Sequence, residues 1–241
     1  MAERDDLPVL TAETVESWPE VRVFKDDRRS RVSLVEGPDG RGWVLKLFKR
    51  PALRQRVARW VGQHPAQREL KANRRLAEAG VPVVPIVASW VDREGRSWLV
   101  TPRVGDSVYH WLMGCELADG GTQRRALTRR LGALTGRLLA MKAEHGDYKS
   151  SNILVDDGGE LHLIDVGAVT SSKGRPLFAA ALPMLKTLHE NLEDAATYHA
   201  DPQAVAVTRT DRLRFFRAMQ GAWDTAPDGL QHLPRSEEFG R

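Results

Sequence analysis

The segment HGDYKSSN at 145–152, followed by IDVG at 164–167, constrains the fold of this 241-residue chain more than any other stretch. Asp147, Lys149 and Asn152 fall between two patterns of different period. Upstream, Leu127, Leu131, Leu134, Leu138 and Met141 recur at steps of 4, 3, 4 and 3, one face of a helix. Downstream, NILV and LHLI are short β runs joined by the turn DDGGE, and Asp165 ends the second, 13 residues after Asn152. A long helix, a polar loop and a small hairpin are predicted. Four polar groups gather at the loop and at the hairpin's end.

The first third has another texture. VRVF (21–24), RVSLVE (31–36) and WVLKLF (43–48) are β-type runs, linked by the polar KDDRRS and the turn GPDGRG. Pro51 opens a basic helix, ALRQRVARWV, and a second helix, AQRELKANRRLAEAG, runs to Gly80 with Pro82 just beyond. VVPIVASWV and SWLVT then flank DREGR as a hairpin. After 106 the chain is mostly helical, through PLFAAALPMLKTLHENLED and TRTDRLRFFRAMQGAW. The expected organisation is α+β, with a β-rich N-terminal lobe at 1–101, a hinge at 102–106, a helical C-terminal lobe at 107–224 and a loose tail at 225–241.

The residue types of the loop suit phosphoryl transfer. A carboxylate, Asp147, can orient an attacking hydroxyl and accept its proton, and a cation, Lys149, can offset charge on the moving group. The amide oxygen of Asn152 and the carboxylate of Asp165 are hard ligands for Mg²⁺ on nucleotide phosphates. The order and spacing match H-x-D-x-x-x-x-N followed by D-x-G. His145 reads as a structural loop histidine rather than a base. That spacing is the protein-kinase signature, and a kinase reading also asks for a lysine on a sheet strand and a glutamate on the next helix. Alternation puts Lys46 on one strand face with Val44 and Phe48, and Glu69 lies in line with Ala72, Leu76 and Ala79. An acid on that inward stripe needs a cation, and Lys46 is the obvious one; the alternative is two solvated surface charges.

Lys46, Glu69, HGDYKSSN and DVG together resemble the protein-kinase-like fold over nearly the whole chain. Within it, LKLFKRPALRQRVARW, the REL…RLAEAGVPVVP helix and exit, and TRTDRLRFFRAM look like the bacterial lipopolysaccharide core (Kdo/heptose) kinases. The resemblance implies ATP and Mg²⁺ as cofactors. It puts Lys46 on the phosphates with Glu69 holding it, Asp147 as base, Lys149 near the γ-phosphate, Asn152 and Asp165 on Mg²⁺, and Thr101 to Val104 at the adenine. The implied acceptor is a hydroxyl of a lipopolysaccharide core glycolipid. A small atypical protein kinase or ATPase, and a nucleotide-binding pseudokinase scaffold, are the alternatives.

Two departures bear on this. VFKDDRRSRVSLV has no glycine with which to cradle phosphate, and no A-P-E segment follows DVG. Composition sets outer limits. A charge of +4 and a pI near 9.4 permit anionic partners, but the aromatics are not interleaved with basic residues as single-stranded nucleic acid would require. The ten Lys and Arg between Lys46 and Arg75, with Arg54, Arg56 and Arg59 on one helix, allow peripheral contact with an anionic membrane surface. A single cysteine, Cys115, read as a partly buried helix residue, gives no internal disulfide. With no run of 18 apolar residues, a cytoplasmic protein is expected.

Overall fold

The computed structural model describes residues 10–49, 64–114, 121–172, 174 and 176–225. The basic helix expected at 52–61, Cys115 and nearly all of the expected tail lie outside them. Two compact units divide the chain: Met1–Asn73 with Val84–Arg103, and Arg74–Val83 with Val104–Arg241.

In the first unit, strands β1 (Glu20–Asp26), β2 (Ser30–Glu36), β3 (Gly42–Phe48), β4 (Ala88–Val91) and β5 (Ser97–Pro102) form an antiparallel sheet in the order β1-β2-β3-β5-β4. Strict alternation along β3 decides its two faces. Trp43, Leu45 and Leu47 are buried, while Val44, Lys46 and Phe48 are half-buried on the other side. Trp43 and Leu45 pack with Val35 and Val100 against Val15 and Trp18, and Trp18 and Trp43 lie 5.9 Å apart between ring centroids. Val15 belongs to a short helix, α1 (Ala12–Glu16), capped by the Thr11 hydroxyl. No apolar periodicity announces so short a helix. Its single inward residue closes one side of the sheet, and the opposite face is the one that carries Lys46.

Helix α2 (Pro65–Glu78) buries Glu69, Ala72 and Leu76 of the stripe expected from the sequence, together with Ala66, while Ala79 lies beyond the helix and is half-buried. It ends where Gly80 takes a φ of 74°, a conformation that glycine adopts without steric cost. The division between units falls within this helix. Residues 74–83 belong with the second unit because Val83 bridges Leu163 in parallel and the Leu163 N–H donates to the Pro82 carbonyl at 3.0 Å.

The second unit is mainly helical: α3 (Val108–Met113), α4 (Thr122–Ala140), α5 (Leu177–Tyr198), α6 (Pro202–Val205) and α7 (Arg209–Asp224). Leu127, Leu131, Leu134, Leu138 and Met141 are all buried, so the α4 stripe read from the sequence is its core face. Among the described residues, short strands complete the unit, one before α3 and four between α4 and α5. β6 (Asp106–Ser107) pairs with β8 (Ile153–Val155), β8 pairs with β9 (Leu161–Leu163), and β7 (Ala143–His145) pairs with β10 (Val169–Ser171). The sequence predicted only the β8–β9 hairpin. The other three strands are two or three residues long and find partners far along the chain, so no local pattern marks them. Gly105 makes one pairing possible, since a Cβ there would overlap the Val155 carbonyl.

Candidate active site

On the first unit, Lys46 sits in the middle of β3, opposite Val32 of β2 and Leu99 of β5. Its Nζ donates to Glu69 Oε2 at 2.8 Å and Oε1 at 3.1 Å, and lies 5.0 Å from the centre of the Phe48 ring. Glu69 is 6% exposed, deep enough that its charge depends on this bidentate partner. The surface-charge alternative is therefore excluded. Thr101 lies opposite Val44 on the same sheet face as Lys46; Val104 falls in the other unit.

The β1–β2 turn explains how a glycine-free segment turns. The Asp27 carboxylate accepts the N–H groups of Arg29 at 2.7 Å and Ser30 at 2.8 Å, while the Asp27 N–H donates to the Ser30 carbonyl. Ser30's N–H, with Lys25 and Arg29, holds the Asp27 carboxyl far below the usual carboxylate range. Two backbone donors that a glycine loop would offer to phosphate are thus directed at the chain's own carboxylate. The side chains of Arg28 and Arg29 are exposed at the tip.

On the second unit, the loop after β7 alternates in and out. Asp147 and Lys149 face outward, and Tyr148 between them is 1% exposed. Its hydroxyl lies 2.9 Å from Thr135 Oγ1 on α4. Since the Thr135 hydroxyl already donates to the Leu131 carbonyl, the phenol is the donor. Burial pushes that phenol far above its ordinary range, so it stays a neutral anchor.

Asp147 is engaged on one oxygen. Oδ2 receives Lys149 Nζ at 2.8 Å and Asn152 Nδ2 at 3.0 Å; the same Nδ2 also donates to the Asp147 carbonyl at 2.9 Å. With its carboxylate 42% exposed, Asp147 can meet a hydroxyl from solvent. Asn152 spends its NH₂ on Asp147, which turns the amide oxygen into its remaining ligand group. Asp165 follows β9 with φ 55° and ψ 38°. This left-handed conformation costs a non-glycine residue about 1–2 kcal/mol, and Asp tolerates it better than most.

Three backbone links hold the Asp165 turn to the loop. Ile164 N–H donates to the Asn152 carbonyl at 3.0 Å, Gly146 N–H donates to the Ala168 carbonyl at 3.1 Å, and β7 pairs with β10. His145, 2% exposed, completes the set: its Nδ1 accepts the Asp147 N–H at 3.2 Å, which leaves Nε2 as the donor toward the Ile164 carbonyl at 3.4 Å. Burial holds its pKa below the ordinary value, in keeping with a neutral ring. His145 is a strand residue that orients the loop, as the sequence suggested in role but not in element.

Asn152 and Asp165 supply oxygen, the donor type Mg²⁺ prefers. Among the described residues no group of three or more His, Cys, Asp or Glu could hold a metal ion. Two such oxygen donors suit an ion whose remaining ligands are phosphate and water. One further contact was not foreseen. Asn191, on α5, accepts both the N–H and the hydroxyl of Ser150 within the loop. Its signal was available, since Ala181, Met184, Leu188, Asn191 and Ala195 form a stripe at steps of 3, 4, 3 and 4 whose single polar member is Asn191.

A strand lysine bound to a helix glutamate, and a helix–loop–hairpin carrying these acids, place the chain among α+β proteins of protein-kinase-like fold. The model of the lipopolysaccharide kinase (Kdo/WaaP) family matches residues 21–206, and the chain belongs to that family. It is a kinase, a phosphotransferase of the lipopolysaccharide core. No curated protein matches the chain. Among the described residues, no helix is long and apolar enough to cross a membrane.

Proposed function

We propose that this kinase moves the γ-phosphoryl group of ATP, with Mg²⁺, to a hydroxyl of an inner-core sugar, Kdo or heptose. The observation that carries the reading is the state of Asp147, one carboxylate oxygen fixed by Lys149 and Asn152 on a loop that is itself tied to Asp165. In this reading Asp147 orients the acceptor hydroxyl and takes its proton. Lys149 stays beside it, where its charge offsets that of the moving phosphoryl group. Asn152 and Asp165 would hold Mg²⁺, which supplies charge neutralisation on the phosphates. Lys46, set by Glu69, binds nucleotide phosphate, and the stretch from Thr101 to Val104 meets the adenine. Peripheral contact with an anionic membrane surface rests on the composition of residues 52–61.

The test is transfer of label from γ-labelled ATP into a cell-envelope extract, with Asp147→Asn alongside. Label is expected in the glycolipid fraction and is expected to fall by about 10²–10⁴-fold in the variant, the range a positioned base contributes. Label in protein would instead favour a protein kinase. ATP binding without transfer to any acceptor would favour a scaffold. Parent rates in Asp147→Asn would overturn the base assignment.

A further inference from the structure

The catalytic loop is held from outside at points on both sides of Asp147. On its N-terminal side, the His145 N–H points to Met184 Sδ of α5 at 3.5 Å, a weak contact, and β7 pairs with β10. On the C-terminal side the anchor is Asn191, about two turns beyond Met184 and one beyond Leu188 on the same inner stripe of α5. Its Oδ1 accepts the Ser150 N–H at 2.9 Å and the Ser150 hydroxyl as well. Ser150 is 0% exposed, so neither donor has water as a substitute.

We propose that Asn191 is a positioning residue for phosphoryl transfer, acting through Ser150 to fix the Asp147 carboxylate. The reasoning is geometric. Ser150 lies between Lys149 and Asn152, the two residues whose side chains bind Asp147 Oδ2. Apart from the Ile164 N–H bond to the Asn152 carbonyl, the other backbone hydrogen bonds of this part of the loop are internal, Lys149 N–H to the Asp147 carbonyl and Asn152 N–H to the Lys149 carbonyl. They preserve the shape of the turn but do not set where it stands on the unit. Tyr148 anchors the loop to α4, and the Gly146 and Asn152 backbone groups tie its two ends to the Asp165 turn and the hairpin. Ser150 is its attachment to α5, set between the two residues whose side chains hold Asp147. Asn suits the task because its single amide oxygen accepts both donors.

This role rests on the assignment of Asp147 as base, so the test needs one readout that depends on chemistry and one that does not. Asn191→Leu keeps size and removes the acceptor; Asn191→Asp keeps an acceptor. In Asn191→Leu, amide hydrogen exchange of the 146–152 segment should rise, and kcat should fall by about 10²-fold with KM for ATP little changed, as small misplacement of reacting groups would give. Asn191→Asp should restore most of both. Should Asn191→Leu fail to fold, Ser150→Ala, which deletes only the hydroxyl donor, should show the same two changes at smaller size. Parent exchange and parent kcat in Asn191→Leu or Ser150→Ala would overturn the proposal. So would Asn191→Asp as impaired as Asn191→Leu, since the effect would then be one of packing. Altered exchange with transfer that never depended on Asp147 would spare the anchor and instead sink the base assignment.

Discussion

Glu69 and Lys46 are each other's solvent. Glu69 has traded water for a bidentate ammonium, and Lys46 for a carboxylate and the Phe48 ring. Taking away the carboxylate charge should therefore do two separable things. Glu69→Gln should lower stability by about 1–3 kcal/mol in urea unfolding, because a half-buried ammonium loses its counter-charge. It should also raise KM for ATP by roughly 10-fold, because Nζ is no longer held in one place; about 1.4 kcal/mol of lost interaction is enough for that. Unchanged KM with lowered stability would show the pair to be structural only. At this scale the sequence was informative where a charge had to be explained. Lys46 and Glu69 stand on inward stripes, and Asp147, Lys149, Asn152 and Asp165 stand at a spacing no core requires. Asn191 escaped because an uncharged polar residue on an apolar helix face raises no electrostatic alarm, and its partner lies 41 residues away.

Among the elements, helices α4 and α7 pack closely against each other. Gly132 and Gly136 allow it: a Cβ at either would overlap the backbone carbonyl of Phe215 or Met219. The same helix pair is tied by Arg124, which donates to Asp211 and to the Ala206 carbonyl, while Asp211 also closes a capping box with Thr208. Two opposing effects meet in Gly132→Ala. Helix propensity favours alanine by about 1 kcal/mol, but the clash is with backbone, which cannot swing aside as a side chain can. Overpacking costs of 1–3 kcal/mol or more should win. The variant is expected to unfold at lower urea than the parent; higher stability would mean that the helices slide apart at little cost. Asp211→Ala should cost more, about 3 kcal/mol, since it leaves the Arg124 charge behind and uncaps α7. The sequence showed α4 and α7 as helices through their own periodicity. Their contact was not legible, because the two glycines inside α4 read locally only as weak helix formers.

For the molecule as a whole, the sequence reading separates a β-rich first part from a helical second part, and the structure has two compact units whose bounds differ from those expected. It did not show that residues 74–83 leave one unit for the other, since the Val83–Leu163 bridge joins positions 80 residues apart. The pH dependence of stability follows from two kinds of buried group, and their signs can be worked out separately. Asp211 is raised by burial but lowered more by its bonds from Thr208 and Arg124, so its carboxyl lies below the ordinary value. Its contribution is present above the unfolded pKa of about 3.9 and is lost as pH falls through the folded value. His145 is lowered chiefly by burial. Between its folded pKa and the unfolded value of about 6.5, the unfolded chain binds the extra proton, so stability rises with pH across that window. Two limbs are therefore expected in urea unfolding: a first decline as pH drops below about 6.5, and a steeper one below about 4. His145→Asn separates them. Asparagine can still offer an acceptor to the Asp147 N–H but cannot titrate, so the upper limb should vanish while the lower one stays. If the upper limb persists in that variant, the proton that destabilises the fold goes to another histidine, and His145 does not couple the order of the loop to pH.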